Sequence, residues 1–169
     1  MVDTQPAGGA GARRRDVLGR GGRGRAVRDG KVVVYKNGVW DLLHAGHLNV
    51  LRIAKGLGDF LVVGVATDAY TEAYKGSLPV VSFHDRLRLI SELRVVDAAV
   101  PYESPEDMRP VELFSVDVVV IDEFTGIGDG PHAQRQRSFR EKLEARSVRF
   151  IRVPRTPGIS STQIKESIL

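Results

Sequence analysis

Two histidines three positions apart, His44 and His47, hold the clearest chemical potential in this 169-residue chain. They close the run Gly38-Val39-Trp40-Asp41-Leu42-Leu43-His44-Ala45-Gly46-His47, which follows a β-branched run at Lys31–Tyr35 and precedes a helical pattern. That spacing sets both imidazoles on one side of a first helical turn. Free backbone N–H groups and the positive end of the helix dipole lie there, an arrangement suited to an anion. A glycine at 46 removes a side chain that would hold a phosphate off the backbone, and Gly38 and Val39 form the approach. A zinc half-site uses the same spacing, but the other histidines are only His84 and His132 and cysteine is absent, so a full ligand set is hard to assemble. The strand-then-helix setting predicts phosphate binding.

A second candidate anion site is Arg155-Thr156-Pro157-Gly158-Ile159-Ser160-Ser161-Thr162, an arginine, a turn and three hydroxyls before the last helix. Ser160 also suits a plain helix cap. A triphosphate needs contacts from two sides, so the presence of the first site favours the functional reading of the second. Lys75-Gly76 falls in a polar stretch, Asp68–Val81, read as a mobile loop after the second strand, where a lysine can swing over a phosphate. Arg86, Arg94 and Asp97 are weaker candidates. Arg94 and Asp97 flank the third strand, where an ordinary ion pair accounts for them equally well.

These residues need a scaffold, and the hydrophobic pattern supplies one. Strands are expected at Lys31–Tyr35, Phe60–Ala66, Asp97–Val100, Val116–Ile121 and Val148–Val153. Between them, Leu48, Leu51, Ala54 and Leu57 recur at helical spacing, as do Leu87, Ile90 and Leu93 behind a Ser82/Asp85 capping pair. Further helices are expected from Ser104, where Pro110 breaks or restarts the pattern, over Ser138–Arg146, and from Ser160 with Ile164 and Ile168 as the buried face. Strands alternating with helices predict an α/β fold, a doubly wound parallel sheet of Rossmann-like form, with ligands at the carboxyl ends of its strands.

Length fits a single domain, and no apolar run approaches the length of a membrane span. The absence of cysteine excludes disulfides and thiolate chemistry and fits a cytoplasmic setting. The net charge of +4 sits entirely in residues 1–30, where seven arginines face three aspartates, so residues 31–169 are formally neutral. Residues 1–30 are therefore read as a disordered basic leader, and 31–169 as the folded domain. A nucleic-acid reader would carry its charge on the folded surface, which argues against nucleic acid as a partner.

The two motifs together resemble the cytidylyltransferases, in particular those acting on glycerol 3-phosphate, over residues 31–169. His44-Ala45-Gly46-His47 matches one family signature and Arg155-Thr156-Pro157-Gly158-Ile159-Ser160-Ser161-Thr162 the other. The resemblance implies CTP as donor, a small phosphorylated acceptor, a homodimer, and Mg²⁺ carried through the nucleotide phosphates with no protein metal ligands. It makes His44, His47 and Lys75 catalytic. It assigns Gly38, Val39, Gly46 and the segment from Arg155 to Thr162 (Arg155, Thr156, Gly158, Ile159, Ser160, Ser161 and Thr162) to the nucleotide, and Asp41, Arg86, Arg94 and Asp97 to the acceptor side. Asn37-Gly38-Val39 instead resembles the adenylyl-transferring domain of ADP-heptose synthase, as does Lys75-Gly76 followed by Pro79-Val80. Asp122-Glu123-Phe124 departs from the glycine and aspartates usual after the fourth strand. The competing readings are an adenylyltransferase acting on a sugar phosphate, a cytidylyltransferase for another phosphate or phosphonate, and a nucleotide-binding regulator without catalysis.

Overall fold

The computed structural model describes residues 30–168. The basic leader expected over residues 1–30 lies outside the described residues apart from Gly30, as does Leu169. Five strands, β1 (Val33–Gly38), β2 (Phe60–Ala66), β3 (Ala98–Tyr102), β4 (Val118–Asp122) and β5 (Arg149–Val153), form one sheet. Their order is β3-β2-β1-β4-β5 and every pairing is parallel. Six helices connect or follow them: α1 (Ala45–Lys55), α2 (Asp68–Lys75), α3 (Phe83–Ser91), α4 (Arg109–Phe114), α5 (Pro131–Glu144) and α6 (Ser161–Ile168). This is the expected doubly wound α/β architecture. The strand order reverses between β1 and β4, so the crevice for a ligand opens at their carboxyl ends.

The sheet is apolar on both faces, as continuous β-branched strands require. On one face Val34, Val63, Val118 and Val120 pack with Leu51 and Ala54 of α1 and Ile90 of α3. On the other, Val33, Tyr35, Val62 and Val119 pack with Val111 of α4 and Phe139 and Leu143 of α5. Among the described residues, no helix is long and apolar enough to cross a membrane.

The structure corrects several local expectations. The stretch read as a loop from Asp68 contains α2. Thr67 caps its start by accepting from the Tyr70 N–H at 3.3 Å, and Gly76 ends it in a left-handed conformation, φ +75°. Helix α4 starts beyond the expected Ser104, and Pro110 sits in its first turn, where a missing N–H costs nothing. Helix α5 begins at Pro131, seven residues before the expected Ser138, and Ile168 of α6 is 75% exposed rather than buried.

Gly64, in the middle of β2, lets the two faces close. A Cβ there would stand 2.3 Å from the Tyr35 hydroxyl and 3.0 Å from the Asn37 Cβ, and Tyr35 is completely buried. Gly64→Ala is expected to destabilise the fold by about 1–3 kcal/mol through overpacking. Thermal melting checks this, and an unchanged melting temperature would show that Tyr35 can give way.

Candidate active site

The β1–α1 segment turns sharply before the histidines. Trp40 and Leu42 both have left-handed backbones, φ +60° and +49°, which non-glycine residues adopt at a cost. Burial offsets that cost at Trp40, whose indole N–H donates to the Gly64 carbonyl at 2.8 Å. Gly38 makes room for it, since a Cβ at 38 would lie 2.8 Å from the indole ring.

Between the two strained residues lies Asp41, buried and fully engaged. Its carboxylate accepts the Val80 and Val81 N–H groups at 3.0 Å each and pairs with the Lys165 ammonium of α6 at 2.8 Å. Its backbone carbonyl accepts the Ser161 hydroxyl at 2.6 Å. Partial burial pushes its pKa up, but the bonds from Lys165, Val81 and Val80 outweigh that and hold it below the usual carboxylate value. Asp41 is therefore a tie between the β1–α1 loop, the 80–81 segment and α6.

The imidazoles of His44, the N-cap of α1, and His47 stack with centroids 3.8 Å apart and 22° between planes, and His47 meets the Trp40 ring edge-on at 5.3 Å. The Nδ1 atoms of both are buried without a hydrogen-bond partner. Burial keeps both rings neutral: His44 titrates below its ordinary value, and His47, which also feels His44 and Lys36, titrates near 4. Gly46 serves this stack directly. A Cβ there would lie 2.9 Å from the His44 ring and 3.3 Å from Ile159. The glycine thus seats His44 against the second motif, a reason different from the one its spacing suggested.

The second motif comes to the same place. Ser160 caps α6 by accepting the Gln163 N–H at 3.2 Å, as its capping box predicts, and Thr156 accepts from the Asn49 amide of α1 at 3.2 Å. Gly158 turns with φ +76°, and Thr162 is exposed in the first turn of α6. The Arg155 guanidinium lies over Phe124 at 5.1 Å. Lys75 is the last residue of α2 rather than part of a free loop, with its exposed side chain 5.6 Å above the Tyr74 ring. Partial desolvation and the charges of Lys165 and Arg155 lower its pKa, against a raising contribution from Asp41, so the ammonium lies within their field. The described geometry brings together His44, His47, Gly38, Val39, Gly46, Lys75 and the 155–162 segment.

Three expected acceptor residues are placed elsewhere. Arg86 is 0% exposed; its guanidinium donates to the carbonyls of Val81, at 2.9 Å, and Val39, and pairs with Asp68 at 2.6 Å. It braces the loop from beneath. Asp97 accepts the Leu61 N–H at 2.7 Å and pairs with Lys55 at 2.6 Å, not with Arg94. This contact is at the amino ends of β2 and β3, the edge of the sheet opposite the histidines, and Arg94 shares that edge in the α3–β3 turn.

Sequence reasoning passed over Lys36. Its ammonium, 3% exposed, pairs with Asp122 at 3.1 Å at the β1/β4 switch point, and both charges act on His47. The available signal was a lysine directly following a β-branched run whose strand was ended at Tyr35, three residues before its observed end at Gly38.

Two outcomes follow from this geometry. His47 binds a proton below about pH 6.5 when unfolded but only below about pH 4 when folded, so stability falls as pH drops through that window, by an amount on the order of 3 kcal/mol. His47→Gln should flatten the dependence of melting temperature on pH between 4 and 6.5; an unchanged slope would assign the acid sensitivity to other groups. Arg86→Met should destabilise by about 3–5 kcal/mol, because it leaves Asp68 and two carbonyls without their donor. A melting point within a degree of the parent would contradict the bracing role.

Comparison with known proteins agrees with this arrangement. The sequence model of the cytidylyltransferase-like family matches residues 35–167. The Bifunctional protein HldE of Citrifermentans bemidjiense is 34% identical over 141 residues, covering 83% of this chain and 28% of that protein. The ethanolamine-phosphate cytidylyltransferase of Arabidopsis thaliana is 34% identical over 146 residues, covering 83% of this chain and 33% of the relative. The chain thus spans about a third or less of these two relatives. The crystal structure of a lipopolysaccharide core biosynthesis protein from Thermoplasma volcanium superposes with a TM-score of 0.60 at 34% identity, over 75% of this chain and 99% of that one. With both motifs assembled at the switch point of a matching fold, the chain belongs to the cytidylyltransferase-like family of nucleotidylyltransferases.

Proposed function

We propose that the protein transfers CMP from CTP to a small phosphorylated acceptor of the glycerol 3-phosphate kind, releasing pyrophosphate. The observation that carries this reading is the stacked, neutral His44/His47 pair at the start of α1, with both Nδ1 atoms unpartnered and the 155–162 segment packed against it through Gly46. An acceptor phosphate oxygen forms a bond to the α-phosphorus, the bond from that phosphorus to the bridging oxygen breaks, and pyrophosphate leaves with the electron pair. The attacking phosphate is already ionised, so no general base is needed, and positioning and charge stabilisation supply the rate.

Each neutral imidazole offers one N–H to the phosphate oxygens. Lys75 supplies charge at the α-phosphate. Arg155, Thr162 and the backbone N–H groups at the start of α6 would face the β and γ phosphates, while the Ser161 hydroxyl is held by the Asp41 carbonyl. Among the described residues, no three His, Cys, Asp or Glu side chains gather to hold a metal. A Mg²⁺ ion carried chiefly by the nucleotide would offset phosphate charge. A homodimeric assembly in the cytoplasm is part of the same proposal.

A second reading, adenylyl transfer to a sugar phosphate, is favoured by the 34% identity to Bifunctional protein HldE and by Asn37-Gly38-Val39. Pyrophosphate release with CTP and with ATP, each over a panel of phosphorylated acceptors, separates the two. A higher kcat/KM with CTP is expected, and a value for ATP equal to or above it would move the chain to the adenylyl reading.

His44→Ala and His47→Ala should each lower kcat by a factor of roughly 10²–10³ with far smaller effects on nucleotide binding. Near-normal turnover in either would remove that histidine from the mechanism. Lys75→Ala should be slow at an unchanged melting temperature, and Lys75→Arg only partly restored, since a planar fork does not replace a point charge.

A further inference from the structure

On the α5 side of the sheet's carboxyl edge lies a cavity of about 270 Å³, bounded by the ends of β1, β4 and β5, by α2 and α5, and by the 125–127 segment. It adjoins the histidine site through Asn37, Gly38 and Val39. One wall is aromatic: His132 of α5 stacks on Tyr74 of α2 at 4.7 Å and 11°, and its Nδ1 is 3.5 Å from the Tyr70 hydroxyl. Trp40 belongs to the opposite face and takes no part.

The charges around this cavity do not cancel. Its charged lining residues are Asp122, Arg137, Arg140 and Arg152. Asp122 is neutralised by Lys36 at 3.1 Å, and Arg140 by Glu144 at 2.7 Å. Arg137 donates to the backbone carbonyls of Gly126 at 2.8 Å and Gly128 at 2.6 Å. Arg152 donates to the carbonyls of Asp122, at 2.9 Å, Glu123 and Thr125. Carbonyl oxygens satisfy the N–H groups and fix the guanidinium planes, but they carry no charge to offset. Among the lining residues, Arg137 and Arg152 therefore carry guanidinium charges that no carboxylate pairs with.

The neutral groups point the same way. The Gln136 amide oxygen accepts the Gly126 N–H at 2.8 Å, which leaves its NH₂ as a donor. Burial lifts the Tyr70 phenol to about 12, so it keeps its proton at neutral pH, and burial with Arg135 nearby keeps His132 uncharged. The lining offers many donors and two net positive charges, and few acceptors.

We propose that this cavity holds the body of the acceptor and selects one that carries a second anionic group, a carboxylate or another acidic oxyanion, over a neutral polyol or an amine. The proposal rests on the transferase reading above. The transferred phosphate stays at the His44/His47 and Lys75 side, and the second anion meets Arg137 and Arg152. An ammonium group would find aromatic faces there, which attract cations, but it would face two unpaired guanidinium charges with Asp122 already bound to Lys36.

Three acceptors that differ at the end remote from the phosphate test this in the full-length protein with Mg²⁺: 3-phosphoglycerate, glycerol 3-phosphate and phosphoethanolamine. With CTP, kcat/KM from pyrophosphate release should be at least tenfold higher for 3-phosphoglycerate than for glycerol 3-phosphate, with phosphoethanolamine lowest. The gap should narrow in higher salt. Arg152→Gln and Arg137→Gln, checked by melting, should each shrink the ratio of acid to polyol. A kcat/KM for glycerol 3-phosphate or phosphoethanolamine equal to or above that of the acid overturns the proposal and leaves the transferase reading intact. Loss of all three activities by one common factor in folded variants overturns it too, since the guanidiniums would then serve the transferred phosphate. No pyrophosphate with any acceptor, under CTP or ATP, overturns the transferase reading and the proposal with it.

Discussion

The site depends on one buried carboxylate. Asp41 holds two backbone N–H groups from the 80–81 segment, the Lys165 ammonium and, through its own carbonyl, the Ser161 hydroxyl. It does so between two non-glycine residues in left-handed conformation. Each such residue costs roughly 1–3 kcal/mol. The turn persists because Trp40 is buried on one side and Asp41 is tied in three directions on the other. The same ties bring α6, at the far end of the sequence, against the start of α1. The two motifs are thus positioned by a residue whose carboxylate and carbonyl are both engaged within the protein.

The strand alternation divides the work around that turn. Along β1, Lys36 and Gly38 face the α1 side with Trp40 and the histidines, while Tyr35 packs on the α5 side and Asn37 lines the cavity there. Donor and acceptor pockets on opposite faces of one strand would meet only at its carboxyl end. That is where Lys36 and Asp122 pair across the switch between β1 and β4. A buried lysine in a parallel strand is expensive unless paired. Its placement there puts a fixed ion pair beside His47, on which both charges act.

The sheet and both motifs were legible because β1, β2 and β4 are rich in consecutive β-branched residues and each motif abuts a helix start. Helix α2 was missed although its signals were present: Thr67 is an N-cap and Gly76 a left-handed stop. Its residues, Asp-Ala-Tyr-Thr-Glu-Ala-Tyr-Lys, show no apolar stripe because Tyr70 and Tyr74 count as polar while packing as aromatics. Arg86 and Asp97 were misplaced for a different reason. Residue type marks a charge but not its depth, and both are spent on internal partners, all but Val81 standing 18 or more positions away in sequence. Long-range pairs of this kind, like Lys36 with Asp122, have no local sequence pattern.

The neutrality of the histidines has a consequence for rate. Two imidazolium ions beside a triphosphate would bind the substrate strongly in its ground state, and binding that is equal in ground and transition states does not raise kcat. Burial holds both rings uncharged near neutral pH, and His47 is lowered further by its neighbours His44 and Lys36. On the proposed transfer each would contribute a directed N–H whose strength grows as charge accumulates on the α-phosphate oxygens. The same proposal would leave net positive charge to Lys75 and Arg155, both exposed, and to a Mg²⁺ ion carried by the nucleotide. On the proposed transfer, the apolar stack of Trp40, His47 and His44 would be part of the chemistry, because the desolvation that depresses the two pKa values would make the pair discriminate between the two states.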